Sequence, residues 1–394
     1  MSRKSLLSYY QDYHFNPVPI PLEDEASWKA HFAKRHNLYQ RHLGIPISFF
    51  SDRSVLEFGC NSGENSLVLA SAGANLTLVE PNDQVLPRLK ALFKKFDLEA
   101  RITELVKKDI ARFESEKCYD AVLAEGFLNT LPNRDEMFRK IARLLVPGGV
   151  SVISFDDRYG CLLEITKRMI LLRACQLKSI DDINSEASLE IAKEFYEEDF
   201  LKLKASRPFQ VWWKDTLINP FFTWDDLWTY PEIVSLIEKA GCEFYSSSPR
   251  WSSIDYYEWY KDVSSTRERH ERLLDNWLRS FPYFLTGSPG SSQQDQAVPK
   301  SVIDAVDNLI RQLSDYTQKY SNEFVSLTYP TALDKYLAAI SEPLMTEFND
   351  DLKMIYAAVR VGGFNELLHV YKSAKRIRNF WGTPYHYVCF TKLI

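Results

Sequence analysis

The stretch Val55-Leu56-Glu57-Phe58-Gly59-Cys60-Asn61-Ser62-Gly63-Glu64-Asn65-Ser66 constrains the fold more than any other part of the chain. Apolar residues and an acid run into a turn bounded by two glycines, and a helical pattern follows. A strand that feeds a helix through such a turn brings backbone N–H groups and a helix N-terminus close to a bound nucleotide. Gly59 and Gly63 can take positive φ, and neither has a Cβ to block a ligand. The spacing differs from the three-glycine dinucleotide pattern, which argues against an NAD-linked oxidoreductase on the same kind of sheet.

Regular alternation surrounds this turn. Residues 55–58, 75–80, 104–106, 119–124 and 150–155 read as strands. Between them, 64–72 reads as a helix closed by Gly73. A second helix carries Leu86, Leu89, Leu92, Phe93 and Phe96 at helical spacing, and Asn82 or Asp83 caps it. A third spans 135–145 and stops before the turn Pro147-Gly148-Gly149. Strands alternating with helices imply right-handed βαβ crossovers and a parallel sheet buried on both faces. In such sheets ligands sit at the carboxyl ends of the strands, where strand order reverses.

The rhythm breaks twice. Residues 161–177 and 188–205 read as helices, and an aromatic stretch follows from 209 to 228. The α/β pattern resumes with a helix at 229–240 and a strand at 242–247. Residues 251–380 are mainly helical and include the Ser-, Gly-, Gln- and Pro-rich segment 286–299, expected to be a mobile loop. A turn at 381–384 leads into a last strand at 386–393. Upstream, Pro17, Pro19 and Pro21 hold the chain extended before a helix at 27–42.

Bulk properties narrow the function classes. A net charge of −5 disfavours a general nucleic-acid binder, whose affinity rests on lysine and arginine against phosphate. No run of about 18 apolar residues occurs, so no membrane span is expected. The N-terminus lacks the apolar centre of a signal peptide, and the six cysteines are scattered without a CxxC pair. A reducing cytoplasm is the expected compartment. The histidines show no metal-ligand spacing, and no metal is expected.

Taken in order, the glycine turn, Glu80, Asp109, the strand at 119–124 and Pro147-Gly148-Gly149 resemble the motifs of the class I S-adenosylmethionine (SAM)-dependent methyltransferases. The resemblance covers roughly residues 50–158, 229–248 and 384–394. It implies an α/β, Rossmann-like fold with a seven-stranded mixed sheet whose last strand runs antiparallel between strands 5 and 6. Helical insertions would follow strand 5 and separate strands 6 and 7. The implied organisation is an N-terminal cap at 1–50, a SAM-binding core at 51–158, 229–250 and 381–394, and a substrate or cap region at 159–228 and 251–380. Those insertions would serve either acceptor capture or pairing of two copies of the chain.

The resemblance also assigns residues. Glu57, Gly59, Cys60, Asn61 and Gly63 would cradle the methionine part of SAM. Glu80 would take both ribose hydroxyls, because a carboxylate accepts two donors at once. Pro81 would pack near the adenine, and Asp109 beside Ile110 would contact its amine. Strand 4 ends at Glu125-Gly126-Phe127, where the family lines the methyl-transfer site.

Methyl transfer from a sulfonium is an in-line displacement, so alignment supplies much of the acceleration. A base is needed only if the acceptor must lose a proton. Glu125, Asp156, Asp157 and Tyr159 lie at or past the ends of strands 4 and 5 and are the candidates. His386 reads as structural, and Cys60 as a packing residue. Of Lys29, Lys34, Arg35, His36 and Arg41, one could meet the SAM carboxylate as a lid element, although a solvated helix face is the simpler account of them. The clusters Trp212-Trp213, Phe221 to Trp228 and Trp251 to Tyr260 either glue the insertions together or offer flat surfaces to a planar or sugar-like ligand. The expected activity is methylation of an oxygen or nitrogen on a small-molecule acceptor, a sugar-containing or other biosynthetic metabolite. A silent scaffold subunit, or an enzyme acting on protein or RNA, are the alternatives.

Overall fold

Strands form where short apolar runs are bounded by turn residues: β1 (Ser54–Phe58), β2 (Asn75–Val79), β3 (Ile102–Val106), β4 (Tyr119–Ala124), β5 (Leu145–Asp156), β6 (Cys242–Ser248) and β7 (Tyr385–Lys392). They make one seven-stranded sheet of order β3-β2-β1-β4-β5-β7-β6. The strands β1 to β5 pair in parallel, and β6 and β7 pair antiparallel, as the resemblance implies. The order reverses between β1 and β4, so the switch point of the sheet lies beside the glycine turn. The computed structural model describes residues 5–18, 20–203, 207–252, 259, 261, 263–288, 296–319, 327–340 and 343–394.

The chain divides into two compact units. The first comprises Met1–Phe155, Tyr230–Leu274 and His386–Ile394, and the second Asp156–Thr229 and Asp275–Tyr385. In the first, helices Glu64–Ser71, Leu86–Lys95, Arg134–Leu144 and Tyr230–Lys239 accompany the sheet. One hydrophobic core joins Val55, Leu76 and Leu78 of the strands to Leu89, Leu92 and Phe93, and also to Trp28, Leu38, Tyr39 and Leu43 from the N-terminal region. The N-terminal helix Glu25–His36 is thus part of the same hydrophobic body. It is capped by the Asp24 carboxylate, which accepts from the Ser27 N–H at 3.0 Å.

Two local expectations change. The predicted helix at 27–42 gives way after His36 to a wider turn over Asn37–His42, which keeps Leu38 and Tyr39 buried. Pro147-Gly148-Gly149 does not precede β5 but lies within it. The pairing jumps from Tyr119–Leu145 to Ala121–Val150, so the turn residues form a bulge that absorbs the extra length.

The second unit is helical. Helix Leu162–Leu177 is buried on almost every face. Glu186–Phe200, Lys300–Lys319, Thr331–Ala339, Pro343–Val361 and Phe364–Ser373 are the other long helices of this unit. Most of the described aromatic residues in the sequence clusters prove to be packing: Trp212, Trp213, Phe221, Phe222 and Trp228 are buried in this unit, and Trp251 is buried in the first. Tyr256, Tyr257 and Tyr260, and residues 289–295 of the segment 286–299, lie outside the described residues. Among the described residues, no helix is long and apolar enough to cross a membrane.

Candidate functional site

The carboxyl ends of β1, β2 and β4 carry the acids singled out in the sequence, and each has a defined partner. The Glu80 carboxylate turns into the glycine turn. Its Oε2 accepts the Asn61 N–H at 2.7 Å and its Oε1 the Asn82 N–H at 2.8 Å. An ionised carboxylate offers about four acceptor positions, so two remain for a diol. Burial pushes the Glu80 carboxyl upward, and the two amide bonds oppose that shift.

Glu57, fully inside β1, accepts from the Ser66 hydroxyl at 2.6 Å. Burial first, and then the neighbouring Glu125 charge, raise it to about 7. Glu125 accepts three hydrogen bonds from two residues. Arg35 donates to both of its oxygens at 2.6 and 2.9 Å, and the Asn65 amide donates at 3.1 Å. The same guanidinium donates to the hydroxyls of Tyr39 at 2.6 Å and Tyr387 at 3.2 Å.

The turn itself has the left-handed backbone that its sequence suggests. Gly59, Asn61 and Gly63 sit at φ of 67°, 49° and 86°. The space freed by the missing Cβ atoms is used differently from the expectation, however. A Cβ on Gly63 would meet Leu89 and Phe93 at 3.1 and 3.2 Å, so this glycine admits core side chains. A Cβ on Gly59 would stand 2.8 Å from the Phe127 ring. The Cys60 thiol is buried and pushed well up, by desolvation first and then by Glu80 and Glu57, which leaves it a packing group.

The N-terminal segment reaches the same loop. Asn16 donates to the Ser62 hydroxyl at 2.8 Å, and Ser62 donates to Glu64 at 2.6 Å. Arg88 closes that network with a 3.0 Å bond to Glu64. His31 meets the Glu64 carbonyl at 3.2 Å, and burial, reinforced by the Arg35 charge, lowers it to about 4. It stays neutral at physiological pH.

Asp109 accepts the Arg112 N–H at 2.9 Å and so caps a turn after β3, with Ile110 buried beside it. Pro81 is half-buried next to Glu80. Asp156 and Asp157 belong to the helical unit. There the Asp157 carboxylate accepts the Gly160 N–H at 2.7 Å, and its own N–H donates to the Pro384 carbonyl at 2.8 Å. Tyr159 is buried against Phe281 at 4.9 Å between ring centroids. His386 meets the Tyr230 hydroxyl at 2.8 Å. Among the described residues no group of His, Cys, Asp and Glu could hold a metal ion.

The sequence reading missed Asn65 and Tyr387 as parts of this constellation, and it named Arg35 only as one of five basic residues and not as the partner of Glu125. A signal existed for Arg35. Trp28, His31 and Arg35 recur at helical spacing along one stripe, so Arg35 falls on the buried face while Lys29, Lys34 and Arg41 face solvent.

This donor set fits SAM. A net cationic, diol-bearing ligand suits strand ends that present Glu57 and Glu80, and suits a turn held in left-handed backbone. Residues 56–153 match the family model "Methyltransferase domain". The ubiquinone biosynthesis O-methyltransferase of Rickettsia akari (strain Hartford) is 23% identical over 120 residues, 30% of this chain and 44% of that protein. The cypemycin N-terminal methyltransferase of a Streptomyces species is 31% identical over 109 residues, 27% of this chain and 42% of that protein. The chain thus spans less than half the length of either relative. The N-methyltransferase NodS of Bradyrhizobium japonicum, solved with S-adenosyl-L-homocysteine, aligns over 39% of this chain and 76% of its own at 19% identity, with a TM-score of 0.31 that is too low to bear on function. Residues 56–153 thus carry a methyltransferase domain, on a sheet whose strand order is the one that the resemblance to class I SAM-dependent methyltransferases implies.

Proposed function

We propose that this protein is a SAM-dependent methyltransferase that transfers a methyl group to an oxygen or nitrogen atom of a small molecule. The observation that carries the reading is the Glu80 carboxylate, fixed by the Asn61 and Asn82 amides at the end of β2 and directed into the glycine turn. SAM supplies a methyl carbon that already bears an excellent leaving group. The chain's task is then to bind and align. Glu80 takes the ribose diol, the turn from Gly59 to Gly63 takes the amino-acid portion with Glu57 behind it, and Pro81, Asp109 and Ile110 border the adenine.

Glu125 serves as a structural anchor in this reading rather than a base, because Arg35 and Asn65 occupy it. The small-molecule acceptor is supported by the acidic balance of the chain. A sugar-containing acceptor has weaker support, since six of the aromatic residues that suggested it are buried packing.

Calorimetric titration tests the cofactor assignment. Wild-type protein should bind SAM, and Glu80→Ala should bind it at least tenfold more weakly; equal affinity would refute the placement. Labelled methyl transfer into fractions of a cell extract tests the acceptor. Label in the small-molecule fraction supports the proposal, label in protein or RNA replaces the acceptor class, and binding without transfer identifies a scaffold.

A further inference from the structure

At the switch point of the sheet, β1 and β4 lie side by side, with Phe58 level with Ala124. The residues that follow them, Gly59 and Glu125-Gly126-Phe127, therefore form the two lips of the crevice in which ligands of such sheets sit. The Phe127 ring stands against the Gly59 lip, and Gly59 tolerates it only because it has no Cβ. The position of the ring is built in. Gly126 turns the chain at a φ of 79°. The Phe127 carbonyl is then pinned by the Thr130 N–H at 3.0 Å and the Thr130 hydroxyl at 2.8 Å. Leu128 and Asn129, next in the chain, are buried, whereas Phe127 itself is half-buried. An aromatic ring is thus anchored at its base, on a residue that stays partly exposed. The nearby Glu125 charge is already matched by Arg35.

We infer that Phe127 reads the charge on the sulfur of the cofactor: its ring favours the sulfonium of SAM over the neutral thioether of S-adenosylhomocysteine. The inference rests on the proposed SAM site and adds a residue that sets preference between substrate and product. The physical basis is the negative face of the aromatic quadrupole, which attracts a cation more strongly than it attracts a neutral thioether of similar shape. The ring is a positioning residue, since it takes no part in bond making.

The test is calorimetric titration of the full chain with SAM and with S-adenosylhomocysteine, for the wild type, Phe127→Leu and Phe127→Tyr. Phe127→Leu should lower the preference for SAM over S-adenosylhomocysteine by roughly three- to tenfold, with most of the loss on the SAM side. Phe127→Tyr keeps the ring and should keep the ratio. The inference is overturned if the leucine variant retains the wild-type ratio. It is also overturned if that variant binds both ligands more tightly by the same factor, which would make the ring a plug. Failure of the wild type to bind either ligand would overturn the SAM site as well, which separates the two claims.

Discussion

Arg35 and Glu125, separated by 90 residues, form a two-pronged ion pair at 2.6 and 2.9 Å with both side chains less than a tenth exposed. The pair joins the N-terminal helix to the end of β4, and the Asn65 amide ties in the helix that follows the glycine turn. Removing one partner of such a pair leaves a buried charge without compensation. Arg35→Met should therefore destabilise the fold by about 3–5 kcal/mol. Replacing both residues, as in Arg35→Met with Glu125→Leu, should recover much of that loss, because neither charge then has to be desolvated. Urea denaturation of the two single variants and the double variant measures the coupling. Additive losses would show that the pair does not act as a unit.

Glu57 makes a prediction about pH. Its carboxyl rises from 4.5 to about 7 in the folded protein, chiefly through burial. Between these values the folded state binds more protons than the unfolded state, so stability falls as pH rises. The contribution is fully present below about 4.5 and lost above about 7. Glu57→Gln removes the titration and preserves an acceptor for Ser66. Between pH 5 and pH 8 the variant should lose roughly 1–3 kcal/mol less stability than the wild type. Denaturation curves at those two pH values decide the matter, and identical slopes would exclude Glu57 as the titrating group.

Much of the first unit was legible because its signals are local. The turn from Gly59 to Gly63 declares itself within a few residues, and Glu80 follows directly from the end of a five-residue apolar strand. The contacts that complete the site are not local. Helical spacing turns Arg35 inward but cannot name Glu125 or Tyr387, which lie 90 and 352 residues away. The glycine at 59 suggests close approach, yet only the pairing of β1 with β4 reveals that Phe127 is what approaches. Pro147-Gly148-Gly149 reads as a turn from local propensity, and the register of β4 with β5 overrides it. The helical unit was the least legible part, since its charged core joins residues from opposite ends of two separate segments.

That core supplies a further test. Glu164 Oε1 accepts the indole N–H groups of both Trp212, at 3.1 Å, and Trp381, at 3.0 Å. Lys167, one turn along the same helix, is fully buried, and its ammonium has no hydrogen-bond partner among the described residues. It lies 4.1 Å from the centroid of the Trp381 ring. Burial lowers Lys167 from 10.5 to about 8, against the pull of Glu164 and Asp199. The unfolded chain then binds more protons than the folded one across that interval, so this group makes stability rise with pH between about 8 and 10.5. Lys167→Met keeps the volume and discards the buried charge. At pH 7 it should be as stable as the wild type or more so, by up to about 2 kcal/mol. The gain should shrink at pH 9.5. Thermal unfolding at both values checks the sign, and marked destabilisation at pH 7 would mean that the cation on Trp381 is a net asset.

Gly59 and Phe127 can be separated by a double-variant cycle. Gly59→Ala imposes two costs: a side chain in left-handed backbone at a φ of 67°, and a Cβ placed 2.8 Å from the Phe127 ring. The first is worth about 1–2 kcal/mol and does not depend on Phe127. The second exists only while the ring is present. In the wild-type background Gly59→Ala should therefore cost about 2–4 kcal/mol, and in a Phe127→Ala background only the backbone portion should remain. Urea denaturation of the four proteins gives the coupling directly. A Gly59→Ala cost that is the same in both backgrounds would mean that the ring leaves Gly59 at little expense. In that event its place at the crevice is one of several, and the contact with Gly59 does not fix it.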